Sequence, residues 1–191
     1  MSITSSIRTL PLADLDSAFA HAGSENVIHL SVSHRHLLRP CGDVLAFGEG
    51  LHAAFDRHNR HGWCSPDFYP YVITLRRWLE QHGVASVRSE WGYFSHDDLP
   101  AGKLDGLMFG GPKRCGVLEI KVTFGDGEEA QPAHVCQLGG YIALHSAWRG
   151  SASKARWGLL AYALPRSGTW KLHRFQDVAR LARSASKLLA A

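Results

Sequence analysis

From Phe47 to Asn59 the apolar residues Phe47, Leu51, Ala54 and Phe55 recur at helical spacing and predict an amphipathic helix. A second helix is expected over about Tyr71 to Gln81, with Gly83 placed to end it. Then the period changes. Val84 to Phe94 reads as a strand, and Ser95 to Gly102 is dense in turn formers. Lys103 to Phe109 and Gly116 to Thr123 read as two further strands joined by the loop Gly110–Arg114. After a polar loop, Ala133 to Trp148 has helical texture, although Gly139 and Gly140 in its middle lower its propensity. Arg156 to Ala163 and Thr169 to His173 read as strands around a Pro-Arg-Ser-Gly turn, and Phe175 to Leu189 as a closing amphipathic helix. Residues 1–30 are weakly patterned, with a short helix over Asp14 to Ala20. This order predicts an α/β (α+β) fold in a single domain spanning 1–191, with its core over about 47–175.

Composition narrows the class. The 191 residues are 45% apolar and 20% charged, enough to bury a core without staples. Cys41, Cys64, Cys115 and Cys136 are scattered, which fits a reduced, cytoplasmic setting better than a disulfide framework. Neither a signal peptide nor a membrane span is legible. The net charge of +4 is uneven. From Trp148 onward nine basic residues face one acid, Asp177, for +8, whereas residues 1–147 carry 12 basic and 16 acidic residues, for −4. A basic end suits a polyanion and an acidic remainder suits cations; a merely solvated basic face is the plain alternative.

The loop centred on Pro112 sets a register. Asp105 and Glu119 each lie seven positions from Pro112, so they are expected to oppose each other on one side of the sheet, with Lys121 beside Glu119. Leu104, Leu118 and Ile120 are expected to point the other way, into a core. Facing carboxylates repel unless something positive lies between them. A divalent cation of hard character satisfies them, and a neighbouring lysine can then act on water or phosphate. From spacing alone, a cross-strand salt bridge in which Lys121 neutralises both acids accounts for the pattern equally well.

The residues also resemble a family. Gly102-Lys103-Leu104-Asp105-Gly106, then Leu118-Glu119-Ile120-Lys121, then Gln137-Leu138-Gly139-Gly140-Tyr141 are similar, in order, to the motifs of the PD-(D/E)XK nuclease superfamily, nearest its RecB-like and phage-exonuclease-like branch. Gly48-Glu49-Gly50-Leu51-His52 is similar to the Gly-x-x-x-His of that branch's leading helix. The resemblance covers about half of the chain. It implies a restriction-endonuclease-like core, with a central mixed sheet flanked by helices. It implies a site in which Asp105, Glu119, the Ile120 carbonyl and His52 hold Mg²⁺, with Mn²⁺ as a substitute. Lys121 would be the catalytic lysine, Gln137 would orient the site or substrate, and Tyr141 would contact DNA. Glu90, on the preceding strand, is expected to support Asp105. Some relatives carry an iron–sulfur cluster, but this chain has no cysteine after Cys136, so no cluster is expected. It also lacks a phosphate-binding loop, so a helicase motor would be a separate partner.

Other signals are weaker. His58-x-x-His61-x-x-Cys64 has zinc-like spacing without an evident fourth ligand, and Ser33-His34-Arg35-His36 is an exposed turn or a phosphate contact. On the closing helix Phe175, Val178, Ala182 and Leu189 are expected to be buried. Arg180, Arg183 and Lys187 would form another face that tracks a DNA backbone or is simply solvated. Trp63, Trp91, Trp148 and Trp157 suit base stacking or a core.

Three functions compete. An exonuclease or end-processing enzyme in recombination, repair or phage metabolism would degrade single- or double-stranded linear DNA and spare closed circles. A structure- or sequence-specific endonuclease would cut the circle. A binding module with a vestigial site would bind without turnover. Oligomeric state is open in each.

Overall fold

The structure is a computed structural model that describes residues 2–19, 26–32, 43–110, 114–125, 129–149 and 154–190. In chain order its elements are α1 (Ile3–Ile7), α2 (Leu12–Phe19), β1 (Asn26–Ser31), α3 (Val44–His61), α4 (Tyr69–Gln81), β2 (Ser86–Tyr93), β3 (Gly102–Gly110), β4 (Arg114–Val122), α5 (Pro132–Arg149), β5 (Trp157–Leu164), β6 (Thr169–Phe175) and α6 (Val178–Leu189). The strands form one six-stranded sheet in the order β1-β6-β5-β4-β3-β2. Only β4 and β5 pair in parallel, through the α5 crossover such a pair needs; the other neighbours are antiparallel. This is the expected mixed sheet flanked by helices.

Two cores sandwich the sheet. On one side α3 and α4 bury Phe47, Leu51, Phe55, Leu75 and Leu79 against Leu118, Ile120, Leu159 and Trp170. On the other, α5 brings Val135, Leu138 and Ile142 onto Val117, Leu160 and Tyr162, joined by α1, α2 and α6. β5 is buried on both faces, so it reads as an unbroken apolar run, as a central strand must. Fully burying each leucine contributes about 1.5–3 kcal/mol.

Two elements went unforeseen. α1 is only five residues long, yet Ile3 is completely buried against α5. β1 (Asn-Val-Ile-His-Leu-Ser) is too short and too mixed to stand out, and becomes a strand by pairing with β6. The glycines in α5 do not interrupt it. A Cβ on Gly139 would lie 2.7 Å from the Leu181 carbonyl oxygen, and one on Gly140 2.9 Å from Leu189 Cδ1. They are the points where α6 approaches, not breaks in the helix. On α6 the buried residues are Val178, Leu181 and Ala185; Phe175 ends β6, and Ala182 and Leu189 are only half-buried, so the apolar stripe sits slightly round from its expected place. Among the described residues no helix is long and apolar enough to cross a membrane.

Candidate functional site

The β3–β4 register is the one the spacing predicts. Gly106 pairs with Leu118 and Gly110 with Arg114, which sets Asp105 opposite Glu119. The ladder stops at Gly106–Leu118, however. Beyond it the Asp105 carboxylate takes the place of a backbone acceptor: the Ile120 N–H donates to Asp105 Oδ2 at 2.7 Å. The two strands are thus held apart by a side chain, and a gap opens between the acids.

The expectation that both acids share one face needs correction. Leu118 and Ile120 belong to the α3–α4 core, so Glu119 and Lys121, alternating with them, leave β4 on the α5 side. Asp105 turns instead toward α3, where His52 Nδ1 lies 3.1 Å from its Oδ1. Leu104 joins the α5-side core, opposite to Leu118 and Ile120. The acids meet across the gap rather than face to face. The cause is a slip in alternation on β3: Leu104 and Leu107, an odd number of positions apart, bury on the same side.

β2 slips at the same level. Ser89 pairs with Gly106 and Trp91 with Leu104, so Glu90 opposes Asp105, yet that pair is absent from the ladder. Glu90 has φ +55°, a left-handed conformation that non-glycine residues seldom adopt. Before it Val87 packs into the α3–α4 core; after it Trp91 and Tyr93 pack toward α5. The Ser89 hydroxyl donates to Asp56 Oδ1 at 2.6 Å, pinning β2 to α3 one helical turn beyond His52. Asp56 also accepts from Arg60 Nε at 2.7 Å. Glu90 itself is ion-paired with Lys103. A row Glu90–Asp105–Glu119 therefore crosses three strands where the β2–β3 and β3–β4 rungs are missing, while Glu119 keeps its pairing with Leu160 of β5.

Donor atoms of His52, Glu90 and Asp105 lie within 4.8 Å of one another, a group that could hold a metal ion. Glu90 thus stands with the candidate ligands rather than behind them. Glu119 is outside this group: it is almost wholly buried, its Oε1 accepts from Lys121 Nζ at 2.5 Å, and its Oε2 has no partner among the described residues. Burial first, then the Asp105 charge, pushes the Glu119 pKa up against the opposing pull of Lys121. Burial would lower the His52 pKa, but the Asp105 hydrogen bond and the charges of Asp105 and Glu119 outweigh it and the net shift is upward. An orphaned buried carboxylate oxygen beside a cluster of oxygen donors and an imidazole fits a hard divalent cation.

Gln137 and Tyr141 lie one turn apart on α5, and both are engaged by the N-terminal helix. Gln137 Nε2 donates to Tyr141 Oη at 3.0 Å and to Thr4 Oγ1 at 3.1 Å. Tyr141 is buried, with its pKa raised by burial and then by the Glu119 charge, so it stands behind the acids and not on an open surface. Arg180, Arg183 and Lys187 are exposed on α6. His58, His61 and Cys64 do not gather into a metal-ligand group, and Ser33–His36 lie outside the described residues. Trp63 and Trp148 are exposed, whereas Trp91 and Trp157 are half-buried beneath arginines. Sequence reasoning missed the Asp56–Ser89 anchor and the Thr4 contact. Helical spacing puts Asp56 on the His52 face, the one available signal for the first; nothing local marks Thr4.

No protein-family model matches this chain, and no curated protein matches it in sequence. Among solved structures, the crystal structure of SSO0001 is similar at 15% identity and a TM-score of 0.48, over 99% of this chain and 74% of the other. An alkaline exonuclease from Laribacter hongkongensis, LHK-Exo, is similar at 15% identity and a TM-score of 0.40, over 92% of this chain and 91% of the other. The functional reading rests on the side chains alone.

Proposed function

We propose that the chain is a single-domain, metal-dependent nuclease of PD-(D/E)XK type that hydrolyses phosphodiester bonds in DNA from an end. One observation carries the reading: the interrupted β3–β4 ladder, where Asp105, His52 and Glu90 gather on one side and Glu119 with Lys121 arrives from the other. Asp105, Glu90 and His52 would hold the cation, with Glu119 and the Ile120 carbonyl reaching it from β4. Bound Mg²⁺ or Mn²⁺ supplies neutralisation of phosphate oxygens and a lowered pKa for water.

The chain's own groups do the rest. Asp105 is fixed twice, by the Ile120 N–H and by His52, so its carboxylate is preorganised and cannot swing away. Lys121 holds its ammonium against Glu119, in position to orient a water toward a phosphate or to offset charge developing there. Gln137 and Tyr141 support this arrangement from α5. The basic face of α6 would contact the strand's phosphates.

The test is cleavage of 5′- and 3′-labelled linear single- and double-stranded DNA and of a closed circle, with Mg²⁺, Mn²⁺ or EDTA, beside Lys121→Ala. Metal-dependent loss of linear DNA, reduced about 10²–10⁴-fold by Lys121→Ala, is the expected result. Cutting of the circle would replace the exonuclease reading with the endonuclease one. Binding without cleavage on any of these substrates would overturn the assignment of a DNA nuclease.

A further inference from the structure

A second concave feature lies at the opposite end of the sheet, on the α4 side. Trp78 and His82 from the end of α4 face Arg156, Trp157 and Arg174 across a cleft of about 220 Å³. Gly110 forms part of its wall, five residues along β3 from Asp105, which is about 17 Å at strand rise. The two sites are therefore separate.

The lining has one sign of charge. It includes two arginines and a histidine and no carboxylate among the described residues. Arg174 lies on the same face of β6 as Trp170 and Leu172, which are in the α3–α4 core, and its side chain is half-buried there. There it lies over the Trp157 ring at 5.4 Å. Its Nε is buried and has no hydrogen-bond partner among the described residues. A buried guanidinium N–H without an acceptor is costly, more so with a second cation nearby. An acceptor carrying negative charge resolves both problems.

The aromatic surfaces show what kind of acceptor. His82 stacks on Trp78 with ring centroids 4.1 Å apart, and Arg174 covers Trp157. Each indole is thus covered on one side by a cationic or imidazole side chain, and charge and N–H donors are the groups that line the cleft. Guanidinium forks match phosphate oxygens in geometry. We propose that this cleft binds the phosphate group of a monoester, carried either by a free nucleotide or by the terminus of a nucleic-acid strand, with Arg174 donating from within and Arg156 closing the mouth. The site is independent of the carboxylate row.

The test uses the full chain in EDTA, titrated with inorganic phosphate against chloride at equal ionic strength, read by tryptophan fluorescence and by Tm. Saturable binding is expected, weakened at least tenfold by Arg174→Gln and by Arg156→Gln and unaffected by Lys121→Ala. Arg156 is exposed, so Arg156→Gln keeps the test decisive if Arg174→Gln fails to fold. No saturable response beyond that of chloride, or wild-type affinity in Arg156→Gln, overturns the proposal. Displacement of phosphate by adenosine 5′-monophosphate alone supports the free nucleotide as its source. Displacement by a 5′-phosphorylated oligonucleotide alone supports a strand end. Equal displacement by the same oligonucleotide lacking the phosphate would overturn selectivity for a monoester.

Discussion

The Asp105 carboxylate accepts the backbone N–H of Ile120 at 2.7 Å, and so a side chain stands where the next rung of the β3–β4 ladder would be. The strand that carries Glu119 and Lys121 is thus hydrogen-bonded to the acid on the neighbouring strand. Spacing and charge in the site are set by one contact.

On the proposed reading Glu119 is kept at a cost in stability. It is buried beside Asp105 with one oxygen unpartnered among the described residues. Glu119→Gln removes the buried ionisable carboxyl, whose charged form burial disfavours, and keeps the shape. In EDTA its Tm is expected to rise by about 2–4 °C, corresponding to roughly 1 kcal/mol. Metal-dependent cleavage is expected to fall at least about 100-fold. A Tm below wild type would mean that the Lys121 ion pair outweighs the burial of charge.

Strain at Glu90 can be isolated by two substitutions. Glu90→Ala and Glu90→Gly lose the same ion pair with Lys103, but only glycine relaxes at φ +55°. The glycine variant is expected to be about 1 kcal/mol more stable than the alanine variant in urea unfolding. Both should bind Mn²⁺ about tenfold or more weakly than wild type, measured by calorimetry. Equal stability of the two would show that the backbone there is relaxed.

Much of this was legible in the sequence, and the rest was not for identifiable reasons. Distance from Pro112 fixed the Asp105–Glu119 register because a hairpin leaves little freedom. Regular alternation does not give the facing of those acids, because it slips at Asp105 and Glu90, and a slip has no composition signal. Gly139 and Gly140 lower helix propensity in isolation, but in α5 they are where α6 approaches. β1 and the Thr4 contact depend on partners more than a hundred residues away, which no local pattern reports.

Gly139→Ala tests that close approach. The new methyl would meet the Leu181 carbonyl oxygen and the Ala185 Cβ. Although alanine favours helix, overpacking is expected to dominate and lower stability by about 1–3 kcal/mol, measured by urea unfolding. A stabilised Gly139→Ala would show that α6 moves away at little cost.

His134 supplies a pH signature of the fold. The Gln131 N–H donates to Tyr162 Oη, and the same hydroxyl is hydrogen-bonded to His134 Nδ1 at 2.8 Å. Burial, then the Lys121 charge, lowers its pKa from 6.5 to about 4. Below pH 6.5 the unfolded chain takes up a proton that the folded one refuses, so stability falls between pH 6.5 and 4. His134→Asn keeps an acceptor without titrating and should show a shallower decline across that window. Identical slopes would remove His134 as the cause.

The pairing of Ser31 with Thr169 has a kinetic consequence. β2, β3 and β4 are neighbours in sequence and can zip locally, whereas β1 joins β6 only after a very long loop has closed. The edge of β6 then stays open to other chains during refolding, a route to aggregation at high concentration. In pulsed hydrogen exchange the amides of β3 and β4 should gain protection before those of β1, and simultaneous protection would instead indicate one concerted step.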